Sequence, residues 1–188
     1  LYPLQYQPEA SSSVAAPYYT HQIETINNIA FSLPFPCKLY VKEHPMAQGK
    51  KPDEFYQALL RIPNVQLIHA KESASALVEA CMGVVTLTST MGLEAALTGK
   101  PVYVFGNVFY SYHPFCRRVT NFDHLGQAIR EDIQTPPDKN DLNSINLKFI
   151  ASYYKQTFPG DMATASFEQD TNNYADILSM LRERAKSS

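Results

Sequence analysis

The chain has 188 residues, 45% hydrophobic and 18% charged, with a formal net charge of −2. That is enough apolar material for a packed core, and the balance of charge excludes both a disordered chain and a nucleic-acid footprint. No apolar run reaches the roughly eighteen residues of a membrane-spanning helix, and no signal-peptide pattern opens the chain.

Leu1 to Tyr6 (LYPLQY) alternates apolar and polar residues as a short strand does, although Pro3 interferes with ladder pairing. A polar loop, Gln7 to Ser13, follows. His21 to Leu33 has Ile23, Ile26, Ile29 and Ala30 on one helical face, and Pro34 and Pro36 end it. Cys37 to Glu43 reads as the second strand, running straight into His44-Pro45. Lys51 to Arg61 spaces its apolar residues as a helix, and Val65 to His69 alternates as a third strand. Ser73 or Ser75 caps a helix over Ala74 to Met82, with Gly83 as its C′ residue.

Val84 to Phe105 (VVTLTSTMGLEAALTGKPVYVF) is the most informative stretch. It predicts a strand over Val84 to Leu87, a polar turn over Thr88 to Gly92, a helix over Leu93 to Leu97 and a strand over Val102 to Phe105. Thr98-Gly99-Lys100-Pro101 supplies the helix stop. Strands alternating with helices on short connections build a parallel, doubly wound, Rossmann-like α/β sheet. Gly106 to Thr120 reads as a long aromatic loop. A helix over Phe122 to Glu131 has Asp123 as its candidate cap. Helices over Asp141 to Thr157 and Tyr174 to Arg184 then pack back across the sheet or toward a partner lobe. The expected division is a sheet-bearing lobe over residues 1–135 and a helical extension over 136–188.

The cysteines (Cys37, Cys81 and Cys116) have no CxxC spacing and read as buried apolar residues in a reducing compartment. Twelve Tyr and ten Phe without Trp, gathered in loops and late helices, suggest a rim or inter-domain surface. The first residue is Leu1, inside a strand-like run, so the chain is expected to be a piece of a longer protein.

Four loops follow the carboxyl ends of predicted strands and share one edge of the sheet, where open α/β sheets bind ligands. His44 follows its strand directly, with Pro45 holding it extended. It is placed to donate to a phosphate or carboxylate, or else is satisfied by a neighbouring carbonyl. Lys42 either faces the same site or is solvated. Ser89 and Thr90 hold a phosphate at a helix N-terminus, beside Thr88, or simply cap the helix. Glu94, a turn further on, suits the hydroxyls of a ribose, or pairs with the helix dipole. Gly92 allows close approach of backbone to ligand or of helix to strand. Gln7 and Glu9 are either ligand contacts or solvated. His113 could close over a ligand but as a lone loop histidine is expected to be exposed. His21, His69 and His124 have no metal-ligand spacing, so no metal site is expected. GxSxG, Walker A and GxGxxG patterns are absent.

Lys42-Glu43-His44-Pro45 together with STMGLEAALTGKPV resembles the C-terminal half of GT-B glycosyltransferases. More narrowly it resembles the capsule polysaccharide biosynthesis proteins, which include bacterial Kdo transferases; LYPLQYQPEASSS resembles the first strand and loop of that half. The His-Pro and hydroxyl pair are also similar to the CMP-binding arrangement of bacterial sialyltransferases. The resemblance covers about Leu1 to Tyr110. It implies the donor-binding half of a glycosyltransferase of capsule or surface polysaccharide synthesis, using a CMP-sugar such as CMP-Kdo in preference to a UDP-sugar. His44 then acts as the catalytic group, holding the phosphate with Ser89 and Thr90. Glu94 takes the ribose, and Glu72 is the nearest match to a carboxylate after the third strand.

No obligatory metal is implied, since CMP carries one phosphate. The resemblance also implies a lipid-linked or glycan acceptor bound by an N-terminal half, and inactivity of this half alone. The implied setting is cytoplasmic or peripheral at the inner membrane, near a capsule assembly complex. Alternatives are a UDP-sugar transferase or 2-epimerase, and a non-catalytic module of a capsule assembly or export complex.

Overall fold

Alternation along the strands sends Leu39 and Val41, Val85 and Leu87, and Tyr103 to one face of a sheet, where all are buried in a single core cluster. The computed structural model describes residues 1–6, 15–157 and 179. Strands β1 (Tyr2–Pro3), β2 (Leu39–Lys42) and β3 (Val65–Ile68) pair in parallel, with Tyr2 opposite Val41 and Leu39 opposite Val65. Strands β4 (Val84–Thr86), β5 (Val102–Val104) and β6 (Cys116–Arg118) form a second parallel set, with Val84 opposite Val102 and Val102 opposite Cys116.

Leu1 joins the two sets. Its main-chain nitrogen donates to the Gly83 carbonyl at 3.0 Å, and its carbonyl accepts from the Val85 N–H at 2.9 Å. With β1 beside β4, the strand order is 3-2-1-4-5-6, the Rossmann order. Helices α1 (Gln22–Ser32), α2 (Asp53–Leu60) and α5 (Phe122–Gln134) cover the face carrying the core cluster. Helices α3 (Ala74–Ala80) and α4 (Thr90–Leu97) pack together against the other. The α/β, Rossmann-like arrangement is the one expected.

The chain divides into two compact units, Leu1–Leu142 and Asn143–Ser188. Helix α6 (Leu142–Gln156) exposes Leu147, Ile150, Tyr153 and Tyr154, and none of its residues is buried. The helix expected over Tyr174 to Arg184 lies outside the described residues, save Ser179. No described helix is long and apolar enough to cross a membrane.

Several local expectations are corrected. Helix α4 begins at Thr90, inside the expected turn, because the Ser89 hydroxyl accepts from the Met91 N–H at 3.3 Å and starts it there. Gly83 is not a left-handed cap. Helix α3 ends at Cys81, where the Lys100 ammonium donates to the carbonyls of Glu79 and Cys81, both at 2.7 Å. Gly83 instead makes room for the next strand, since a Cβ there would lie 2.9 Å from the Pro101 oxygen. Asn121, not Asp123, caps α5. The expected loop over Gly106 to Thr120 contains a 3₁₀ turn (Phe109–Tyr112) and strand β6. The three cysteines are free and only half-buried.

Candidate functional site

Parallel strands bring their carboxyl ends to one edge, and the order 3-2-1-4-5-6 opens a crevice there beside β1, where the crossovers change direction. The chain leaving β1 occupies that position. Gln5 is buried, and its amide donates to the Pro3 carbonyl at 3.1 Å. Its carbonyl accepts from the Gln22 side chain at 3.2 Å, and its side-chain oxygen accepts from the Thr88 hydroxyl at 2.9 Å. Tyr6 turns the other way. Its ring centroid lies 5.7 Å from that of His44, and the Lys50 ammonium sits 5.2 Å from the same centroid. Gln5 and Tyr6 thus touch both walls of the crevice, Thr88 after β4 and His44 after β2.

His44 caps a 3₁₀ turn over Pro45–Ala47, its Nδ1 accepting from the Met46 N–H at 3.2 Å. A neutral ring held this way carries its proton on Nε2, which is left to donate. Pro45 is exposed. Lys42 is neither solvated nor free: it is 4% exposed and donates to the Ala70 carbonyl at 2.8 Å and to the Glu43 carbonyl at 3.4 Å. Burial lowers its pKa, and the charges of Glu72 and Glu43 oppose that shift. Glu43, also buried, accepts from the Tyr56 hydroxyl of α2. The Tyr56 phenol is pushed up to about 12, first by burial and then by that bond. A buried cation and a buried carboxylate therefore anchor the strand end that presents His44.

Across the crevice, the Ser89 N–H donates to the Thr86 hydroxyl at 3.0 Å, and the Gly92 N–H to the Ser89 carbonyl at 3.0 Å. The Ser89 hydroxyl is therefore a helix cap, with its own proton still available to donate. Thr90 is exposed at the first position of α4, and Glu94 is exposed a turn further along. Gly92 serves close packing: a Cβ there would meet Thr86 Cγ2 and the Tyr110 ring and hydroxyl, each at 2.9 Å. Glu72 is exposed in the loop after β3, its N–H bonded to the His69 carbonyl at 3.1 Å. Gln7 and Glu9 lie outside the described residues.

The structure therefore carries Lys42, His44, Pro45, Glu72, Thr88, Ser89 and Thr90 on one edge of the sheet. Sequence reasoning missed Gln5 and Tyr6, which follow β1 and precede the loop on which contacts were expected, and Tyr110, which the aromatic loop concealed. His113 is buried, 1% exposed, with its Nδ1 accepting from the Phe115 N–H at 3.2 Å; it is not the exposed loop histidine expected. Among the described residues no three His, Cys, Asp or Glu side chains converge as a metal site would require. A cavity of about 940 Å³ opens at the opposite edge, bounded by the strand starts Leu1, Leu39, Gly83 and Pro101. It is lined mainly by apolar groups and lies away from the crevice.

The family model for capsule polysaccharide biosynthesis proteins matches residues 3–150. The solved structure of Thermosulfurimonas dismutans KpsC, a β-Kdo 2,7 transferase, is similar in fold, with 24% identity and a TM-score of 0.50. The match covers 64% of this chain and 38% of that one, so the chain spans well under half the length of the neighbour. No curated protein matches the chain.

Proposed function

The chain belongs to the capsule polysaccharide biosynthesis protein family, and on that premise we propose that it is the donor-binding half of a glycosyltransferase that takes a nucleotide sugar. The observation that carries the reading is the bridging of the two walls by the end of β1: Thr88 is bonded to Gln5, and the His44 ring lies against Tyr6. A nucleotide lying over that strand end meets the N-terminus of α4 on one side and an imidazole Nε2–H on the other.

Transfer of the sugar cleaves its bond to the phosphate and leaves negative charge on the departing nucleotide. His44 donates to that phosphate and the α4 N-terminus opposes the charge electrostatically. The hydroxyls of Ser89 and Thr90 complete the seat, and Glu94 is the group offered to the ribose. A CMP-sugar is favoured over a UDP-sugar on the resemblance of His44-Pro45 and the Ser89-Thr90 pair to the CMP-binding arrangement of bacterial sialyltransferases, and its single phosphate requires no chelating metal. The acceptor, a lipid-linked or other glycan, is bound outside this chain, and the reaction is set in the cytoplasm or at the inner face of the membrane.

Calorimetry on the 188-residue chain with CMP and with UDP tests the reading. CMP should bind more tightly, and His44→Ala should weaken it by about tenfold or more, the loss of one charge-assisted hydrogen bond. Tighter binding of UDP would move the assignment to a UDP-sugar transferase or 2-epimerase. Binding of neither would overturn it, and a non-catalytic module of a capsule assembly complex would then be the better description.

A further inference from the structure

Ser89 and Tyr110 meet in a way that the reading above does not use. The Tyr110 hydroxyl donates to the Ser89 carbonyl at 2.5 Å, with its ring 1% exposed and seated in the space that Gly92 leaves open. That carbonyl shares a planar trans peptide with the Thr90 N–H, so the two point in opposite directions. Holding the carbonyl toward Tyr110 therefore holds the Thr90 N–H away from it. The neighbouring N–H groups at the start of α4 are already committed: Ser89 to Thr86, Met91 to the Ser89 hydroxyl, and Gly92 to the Ser89 carbonyl. From Ser89 to Gly92, the Thr90 N–H is thus the backbone donor that remains for a ligand.

We propose that Tyr110 is a positioning residue of the nucleotide phosphate seat, acting through the Ser89–Thr90 peptide. Its effect has two parts. It fixes the plane of the peptide, and by bonding the carbonyl it polarises the amide so that the Thr90 N–H becomes a stronger donor. Burial pushes the Tyr110 hydroxyl pKa up, so the group keeps the proton it donates across the working range. Thr86 supports the arrangement from beneath by accepting the Ser89 N–H. This inference rests on the nucleotide-binding reading and names the phosphate as the part of the ligand that Tyr110 serves.

The test compares CMP with cytidine on the full chain, wild type against Tyr110→Phe, which removes one oxygen and keeps the ring. CMP affinity should fall by about two- to tenfold, the range of one neutral hydrogen bond, while cytidine affinity stays unchanged. Equal loss for both ligands, or no loss for CMP, would overturn the inference. The Thr90 amide resonance of the wild-type chain gives a measurement independent of how the variant folds. It should shift downfield on titration with CMP, and an unmoved Thr90 amide alongside other shifting resonances would overturn the inference. If the wild type binds no nucleotide, the functional reading fails first. Inorganic phosphate is then the probe: a Thr90 shift supports the role of Tyr110 in anion binding, and its absence ends it.

Discussion

The Thr88 hydroxyl donates to the Gln5 side-chain oxygen over 2.9 Å, joining positions 83 residues apart at the end of β1 and the end of β4. The bond is part-buried, and Gln5 is also tied to Pro3 and Gln22. Thr88→Val and Gln5→Leu should each destabilise the chain. Their double-mutant cycle should show a coupling of about 1 kcal/mol, as for one partly buried neutral hydrogen bond. Urea denaturation of the four proteins measures it, and additive effects would mean that the contact contributes nothing.

His44 has two separable tasks, capping the turn through Nδ1 and presenting Nε2–H to the crevice. Asparagine offers an oxygen to the same Met46 N–H. His44→Asn should therefore hold stability within about 0.5 kcal/mol of wild type, whereas His44→Ala should cost about 1 kcal/mol. Both should lose nucleotide affinity. Long-range nitrogen–proton NMR should find the neutral ring protonated on Nε2; protonation on Nδ1 would contradict the capping bond.

Gly106 ends β5 against the end of β4. A Cβ there would stand 2.2 Å from the Leu87 carbonyl oxygen and 2.8 Å from Thr88 Cγ2. The nearest obstacle is backbone and cannot rotate away. Gly106→Ala should cost about 3 kcal/mol or more by overpacking. Thermal unfolding would show it, and a melting temperature near that of wild type would refute the close approach.

The Tyr56 phenol moves from an ordinary 10.0 to about 12, through burial first and its bond to Glu43 second. Burial pushes Tyr2, Tyr103 and Tyr110 up as well. A phenol raised on folding stabilises the chain fully below its unfolded pKa, and that contribution disappears as pH climbs through the folded value. Stability should thus hold up to about pH 10 and fall between there and about pH 12 for the Tyr56 contribution. Tyr56→Phe should make that first part of the fall shallower. Denaturation midpoints across the alkaline range check this, and identical pH profiles for the two proteins would contradict it.

Strong apolar alternation made the inner strands readable, and serine before a helical run narrowed the caps to Ser73 or Ser75 and to Ser89 or Thr90, of which Ser73 and Ser89 cap in the structure. Strand β6 was not readable because its three residues, Cys116, Arg117 and Arg118, carry no alternation. It is held by backbone pairing to β5 and by Arg117 reaching Glu131 and the buried Asp132 of α5. Lysine 100 and Asn121 displaced the expected helix ends because capping depends on which side chain reaches the free carbonyls or N–H groups in three dimensions. Strand-end position alone placed His44 and the Thr88–Thr90 turn at the edge of the sheet where the structure has them. It did not find Gln5 and Tyr6, which touch the two walls of the crevice, or Tyr110, which bonds the Ser89 carbonyl within one wall; all three depend on contacts distant in sequence rather than on a local pattern.

The short first strand has a mechanical consequence. The two halves of the sheet meet along a seam at β1, stitched by Leu1 to β4 at its lower end and by Gln5 to Thr88 at its upper end. A molecule bound over the upper end would grip both margins of that seam at once. Occupancy and lateral cohesion of the sheet would then be the same event.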